Sequence, residues 1–231
     1  LTPAVYDYYA GGAEDELTLR WNEAAFRQFA LRPRVLVDVS RIDPSVELLG
    51  DRLAFPVLLA PTAFQRLAHP DGELATARAA AAAGTVFVSS TLSTFTIEEI
   101  AAATQRLWLQ LYVFRDRAVT RSLVERAEAA GCQAISLTVT VPVQGNRERD
   151  AHNRFALPPG IEIANFTGLR QSRFPDAEAS RLNAFIDEEF DPSLSWRDIE
   201  WLRSITKLPL VLKGVMTAED ASLALALVII H

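Results

Sequence analysis

The sequence predicts an α/β fold built on a parallel sheet, and three observations carry that expectation. The apolar runs are continuous rather than alternating, as in "FPVLLAPTA" (55–63), "RLWLQLYV" (106–113) and "LPLVLKGV" (208–215). Continuous runs mean strands buried on both faces. Helix-like segments separate the runs, so strand–helix units recur at intervals of roughly 25–40 residues. No G-x-G-x-x-G follows the first run, which disfavours a dinucleotide-binding open sheet. An open doubly wound sheet and a (β/α)8 barrel both fit this alternation.

Each element has a local reason. The run at 55–63 ends in Pro and Thr. "DGELATARAAAAAG" (71–84) is alanine-rich and helical, with Gly84 placed to stop it. "TVFVSS" (85–90) is the second strand. Thr96-x-x-Glu99 is a capping box that opens the next helix. The strand within 106–113 precedes "RAVTRSLVERAEAAG" (117–131), whose apolar positions follow helical spacing and whose stop is Gly131. "AISLTVTVP" (134–142) is the fourth strand. A polar, irregular insertion is expected over 143–190. Ser195-x-x-Asp198 opens "WRDIEWLRSI", the fifth strand is 208–215, Thr217-x-x-Asp220 opens "ASLALAL", and "VII" (228–230) is a sixth strand. Six strands fall short of the eight that barrel closure needs. The helix passing into "VIIH" without turn residues, and a start at Leu1, read as cuts in something longer.

Composition narrows the function classes. At 231 residues and 49% hydrophobic, the chain can bury a sizeable core. A net charge of −6 gives no basic footprint for nucleic acid. No apolar stretch is long enough to span a bilayer, and residues 1–20 do not read as a signal peptide. A single cysteine, Cys132, allows no internal disulfide and suits a reducing compartment. Cys132 itself reads as a packed core residue.

The strand ends are polar. Thr62, Ser89 and Ser90, Gln110 and Tyr112, Thr138 and Thr140, Lys213 and His231 each stand at the C-terminal edge of an apolar run. In a parallel barrel those edges converge on one mouth, where ligands bind. Lys213 is one of only two lysines among 23 cationic Lys and Arg residues. An ammonium is a compact point charge suited to one developing anion. The bland alternative is a lysine snorkelling to solvent, and the residues alone leave the two readings open.

The chain also resembles the FMN-dependent L-2-hydroxy acid oxidases and dehydrogenases. The resemblance rests on "YDYYAGGAEDELTL" (6–19), "LRPRVLVDVS" (31–40), "APTAFQRLAHPDGELATARAAAAAGT" (60–85), "QLYVFRDR" (110–117), "NRFALPPG" (153–160), "DPSLSWRDIEWL" (191–202) and "LPLVLKGVMTAEDA" (208–221), in family order over nearly the whole chain. It implies a (β/α)8 TIM barrel over 1–231, lacking its last βα units, that binds FMN at its mouth. It implies that Thr62 and Ala63 line the flavin face and that Ser90, Gln110 and Thr138 bond the isoalloxazine edge. Lys213 would stand beside flavin N1 and stabilise the reduced, anionic ring. Tyr8, Tyr112 and Arg147 would hold the substrate, Arg147 as a bidentate partner of its carboxylate. His231 would be the catalytic base. Tyr6 and Tyr9 read as packing residues, His69 as structural and His152 as a surface residue.

The implied activity is oxidation of a small L-2-hydroxy acid, of lactate or glycolate type, to the 2-keto acid. Dioxygen is a candidate acceptor, a homo-oligomer is expected, and the compartment is the cytoplasm or, in a eukaryote, the peroxisome. The sequence departs from the family pattern in four places. Thr140 replaces the aspartate that pairs with the catalytic histidine, so His231 would be a weaker base. Leu92 replaces a tryptophan of glycolate oxidases and would form an apolar wall that tilts the choice toward lactate or a longer acid. The Lys213-to-His231 spacing is shorter than the family's. The Asp-Gly-Gly and Gly-Arg segments that hold the FMN phosphate do not occur. Two further readings follow: another FMN barrel enzyme, or a catalytically weak scaffold of the same barrel.

Overall fold

A computed structural model describes residues 1–140, 143–167 and 181–227. Its centre is a parallel sheet of β3 (Phe87–Ser89), β4 (Leu107–Leu111), β5 (Ala134–Thr138) and β6 (Leu210–Lys213), hydrogen-bonded in sequential order. Sequential order of parallel strands is the arrangement of a (β/α) barrel wall, whereas a doubly wound sheet reverses direction at a switch point. The register aligns the strand ends: Ser89 faces Leu109, Leu111 faces Leu137, and Thr138 faces Lys213.

Helices return the chain between these strands. The chain begins with α1 (Pro3–Ala10) and α2 (Leu17–Phe26). Helix α3 (Gly72–Ala83) stops at Gly84, whose φ of 70° lies in the left-handed region that only glycine adopts at little cost. Helix α4 (Ile97–Ala101) carries the expected capping box: Thr96 N–H donates to Glu99 Oε2 at 2.8 Å, and Glu99 N–H donates to Thr96 Oγ1 at 3.2 Å. Helix α5 (Arg117–Ala129) is capped by Asp116, which accepts from Ala118 N–H at 2.9 Å. Gly131 follows its end at φ 83°. Two helices occupy the stretch expected to be irregular, the short α6 (Glu148–His152) and α7 (Arg181–Glu189). Helix α8 (Trp196–Ile205) opens where Ser195 N–H donates to Asp198 Oδ2 at 2.8 Å, and α9 (Ala218–Leu227) where Asp220 N–H donates to Thr217 Oγ1 at 3.1 Å.

The two faces of the sheet pack differently, and this positions the site. Leu107, Leu109, Leu111, Ile135, Leu137 and Leu210 face the helices and share one core with Ala77, Ile100, Leu123, Val124 and Leu202. The opposite face carries Val88, Trp108 and Ala134, which pack with Val86 and Leu53. Side chains alternate along a strand, so the residues two positions on share that second face: Ser90 after Val88, Gln110 after Trp108, Ser136 and Thr138 after Ala134, Lys213 after Val211. Below, the inner face is apolar. At the C-terminal tips it turns polar.

One sequence expectation changes. The run 55–63 forms no full strand; it makes a single parallel bridge, Leu59 to Phe87, with Leu59 N–H bonded to Val86 O and Val88 N–H bonded to Leu59 O, both at 3.0 Å. Pro56 and Pro61 lack the N–H groups a longer ladder needs. The sixth strand, 228–230, lies outside the described residues. An antiparallel hairpin of β1 (Val46–Leu48) and β2 (Asp51–Leu53) was not anticipated. Its two-residue turn puts both Leu49 and Gly50 at positive φ, 51° and 86°. Leucine there lacks the Asn or Asp signal by which such turns are read. Residues 20–44 are exposed throughout, with Phe26, Phe29 and Leu31 standing in solvent. Among the described residues no helix is long and apolar enough to cross a membrane.

Candidate active site

Three of the predicted residues form one hydrogen-bonded chain across the strand tips. Gln110 Nε2 donates to Thr138 Oγ1 at 2.7 Å, and Ser90 Oγ donates to Gln110 Oε1 at 3.4 Å. Thr91 N–H adds a 3.2 Å bond to the same Gln110 oxygen, so the amide is held from both ends. All three side chains are buried, which makes their mutual satisfaction obligatory. Lys213 stands opposite Thr138 on the next strand, exposed, with no ion-pair partner among the described residues. An amide, two hydroxyls and an ammonium thus line one polar edge. That set can accept from a ring N–H and donate to ring carbonyls, as the edge of an isoalloxazine requires.

Thr62 and Ala63 follow the Leu59 bridge. Thr62 is exposed, and the carbonyls of Ala63 and Phe64 accept from the Tyr9 hydroxyl at 3.1 and 2.8 Å. Tyr9 is therefore structural, as expected, and burial pushes its phenol up to about 12. Tyr6 is not a packing residue; it is 59% exposed. Its side chain leaves α1 toward solvent, whereas Tyr8 and Tyr9 face the body of the protein. Buried Glu73 braces the loops beside Ala63 and Ser90. Its carboxylate accepts from Gln65 N–H at 3.1 Å, Thr94 N–H at 3.0 Å and Thr94 Oγ1 at 2.6 Å.

Tyr8 and Arg147 come together although 139 positions separate them. The Tyr8 ring stacks on Phe155 at 4.4 Å, and the Arg147 guanidinium lies 5.4 Å from its centroid. Arg147 Nη2 donates to the Tyr8 carbonyl, and Nε donates to Asp150 Oδ2 at 2.6 Å. Burial, with nearby Tyr9, raises the Tyr8 phenol well above the ordinary tyrosine value, and Arg147 opposes the shift. Tyr112 and Asp150 also act on it, which puts all of these groups within electrostatic reach of one another. Burial raises the Tyr112 phenol as well. Both hydroxyls stay protonated at neutral pH and can donate to an anion.

A cavity of about 300 Å³ opens beside the tips, walled by Tyr112, Thr138, Thr140, Phe190, Ser195 and Trp196. Phe190 stacks on Tyr112 at 4.3 Å. Thr140 crowds Gly214: a Cβ on Gly214 would fall 2.3 Å from the Thr140 methyl, and Gly214 sits at φ 114°. Only glycine fits there. Leu92 is not on the cavity wall. It is 4% exposed and packed in the core, and its carbonyl accepts from Phe64 N–H at 3.1 Å. The cavity's own apolar side is formed by Phe190 and Trp196. His69 accepts from Asp71 N–H at 3.2 Å in a turn, and His152 is exposed. His231 lies outside the described residues.

Sequence reading missed Asp150, Glu73 and Phe190. Asp150 had a signal: it stands three positions after Arg147, the spacing of a helical ion pair.

A barrel wall with a polar mouth of amide, hydroxyl and ammonium groups defines a class of ligand-binding (β/α) proteins. The comparisons with known proteins narrow it. A family model described as FMN-dependent dehydrogenase matches residues 1–229, and the chain belongs to that family. Glycolate oxidase 3 of Arabidopsis thaliana is 51% identical over 225 residues, covering 97% of this chain and 61% of that protein. Spinacia oleracea glycolate oxidase is 49% identical with the same coverage. A mandelate oxidase crystal structure with (S)-4-hydroxymandelic acid superposes with a TM-score of 0.93 at 41% identity, covering 98% of this chain and 64% of that one. The chain thus spans less than two thirds of the length of these relatives, and its fold is that of their FMN-dependent TIM barrels.

Proposed function

We propose that the protein oxidises a small L-2-hydroxy acid to the 2-keto acid with FMN bound at the strand tips. The observation that carries this is the Ser90–Gln110–Thr138 chain standing opposite Lys213 on one face of the sheet. Its donors and acceptors match the isoalloxazine edge, and Lys213 supplies a positive charge where reduction leaves a negative one. FMN, when bound, accepts the two electrons that leave the substrate carbon. The protein's own groups do the rest. Tyr8 and Tyr112 stay neutral and donate hydrogen bonds. Arg147 pairs with the substrate carboxylate, and with the two phenols it orients the acid.

The role of base falls to His231 by resemblance. Thr140 lies on the cavity wall, and the family resemblance implies a carboxylate at its position. A neutral threonine leaves an imidazolium unsupported, which favours slow turnover. That is the specific ground for the second reading, a catalytically weak member of the family. The glycolate oxidases at about 50% identity favour glycolate as substrate and dioxygen as acceptor. The single buried thiol fits a reducing compartment.

The test is anaerobic mixing of the FMN-loaded protein with L-lactate or glycolate, followed by flavin absorbance. Bleaching within the time of mixing supports the proposal, and slow bleaching supports the weak-catalyst reading. Bound flavin that no 2-hydroxy acid bleaches contradicts both.

A further inference from the structure

We infer that Asp150 is a positioning residue that locks the Arg147 guanidinium in the orientation needed to receive a carboxylate. The inference rests on the proposed 2-hydroxy acid chemistry and adds a residue to it. Asp150 is 2% exposed, and its Oδ2 accepts a hydrogen bond from Arg147 Nε–H at 2.6 Å. Arg147 Nη2 is tied to the Tyr8 carbonyl. Two of the three guanidinium nitrogens are therefore fixed by protein, and Nη1 has no hydrogen-bond partner among the described residues. The planar fork cannot rotate without breaking a charged, buried hydrogen bond. Nη1, with the second Nη2 proton, presents a ready two-pronged donor.

The other Asp150 oxygen makes the case stronger. Oδ1 is buried and has no hydrogen-bond partner among the described residues. An unsatisfied buried acceptor is costly, so Asp150 is held in place by what its other oxygen does for Arg147. Asp150 sits in the first turn of α6, whose N-cap is Arg147 itself, so one short helix carries both halves of the pair. Exposed Arg149 on the same helix pairs instead with Asp7 and Glu16, which pins α6 to the N-terminal segment that carries Tyr8. The helix is thus anchored independently of Asp150, and loss of Asp150 frees the guanidinium without releasing the helix.

The experiment compares Asp150→Asn with wild type in the FMN-loaded protein, using a 2-hydroxy acid and its primary amide. The amide offers no carboxylate to the fork. For the acid, KM rises at least about tenfold with kcat little changed, because the fork binds ground and transition states alike. For the amide, kcat/KM stays within about twofold. Both substrates are read on one sample, so partial unfolding scales them equally. The dissociation constant of oxalate, measured by calorimetry, rises by about the same factor as KM. Should Asp150→Asn not fold, Asp150→Ser is read by the same ratio. Equal losses on acid and amide, or no loss on either, overturn the assignment while leaving the proposed function standing. A wild-type flavin that neither substrate reduces overturns both.

Discussion

Replacing Glu73 by alanine tests how the loops beside Ala63 and Ser90 are held. The buried carboxylate is the shared acceptor for Gln65 N–H, Thr94 N–H and the Thr94 hydroxyl. It joins the loop that follows Ala63 to the loop that follows Ser90. Hydrogen bonds to a charged group contribute about 1.5–3 kcal/mol each, and the truncation strands two backbone donors in the interior. Non-additivity keeps the sum below three full bonds, so the expected loss is about 4 kcal/mol. For a domain of this size that lowers Tm by roughly 8–16 °C. Urea unfolding followed by circular dichroism reads the stability, and flavin fluorescence reads FMN release. Glu73→Gln keeps one carbonyl oxygen for both N–H groups and loses about 1–2 kcal/mol. An alanine variant within 1 kcal/mol of wild type would refute the bracing role.

Further outcomes follow from the same geometry. Thr140→Asp restores a carboxylate on the cavity wall and raises the rate of anaerobic flavin reduction about tenfold or more, read by stopped-flow absorbance; no gain removes Thr140 from the account of slow turnover. Gly214→Ala places a Cβ 2.3 Å from the Thr140 methyl at φ 114° and destabilises the protein by about 2–4 kcal/mol in urea, while Gly214→Ala with Thr140→Ser recovers part of the loss. The phenols of Tyr8 and Tyr9 are raised above their ordinary value, Tyr9 to about 12. The folded state therefore holds protons that the unfolded chain releases, so these groups favour folding fully below about pH 10 and cost stability as pH rises toward 12. Denaturant midpoints should fall over that window in wild type and fall less in Tyr8→Phe.

Much of this fold was legible because local signals agreed with tertiary context. The boxes at Thr96 and Thr217 and the stops at Gly84 and Gly131 stand where spacing put them. Continuous apolar runs marked β4, β5 and β6 as strands covered on both faces. The first run misled, because an apolar run looks the same in sequence whether or not prolines such as Pro56 and Pro61 remove its ladder donors. Ser90, Gln110, Thr138 and Lys213 were found together because alternation along parallel strands brings tip residues to one face. Asp150 and Glu73 were not found. A buried carboxylate that braces backbone donors has no short motif, and nothing in "GELATARA" separates Glu73 from a solvated helix residue. Leu92 packs into the core, because the 90–96 loop folds back so that its carbonyl accepts from Phe64 N–H.

The most direct test of the flavin site is the two-electron midpoint potential of bound FMN in wild type and in Lys213→Met. Methionine keeps the unbranched apolar stem and removes the ammonium. If Lys213 neutralises the reduced ring, the variant's potential is lower by tens of millivolts, on the scale of about 30 mV per 1.4 kcal/mol for two electrons. An unchanged potential, with FMN bound as tightly as before, would contradict a flavin seated against these strand tips.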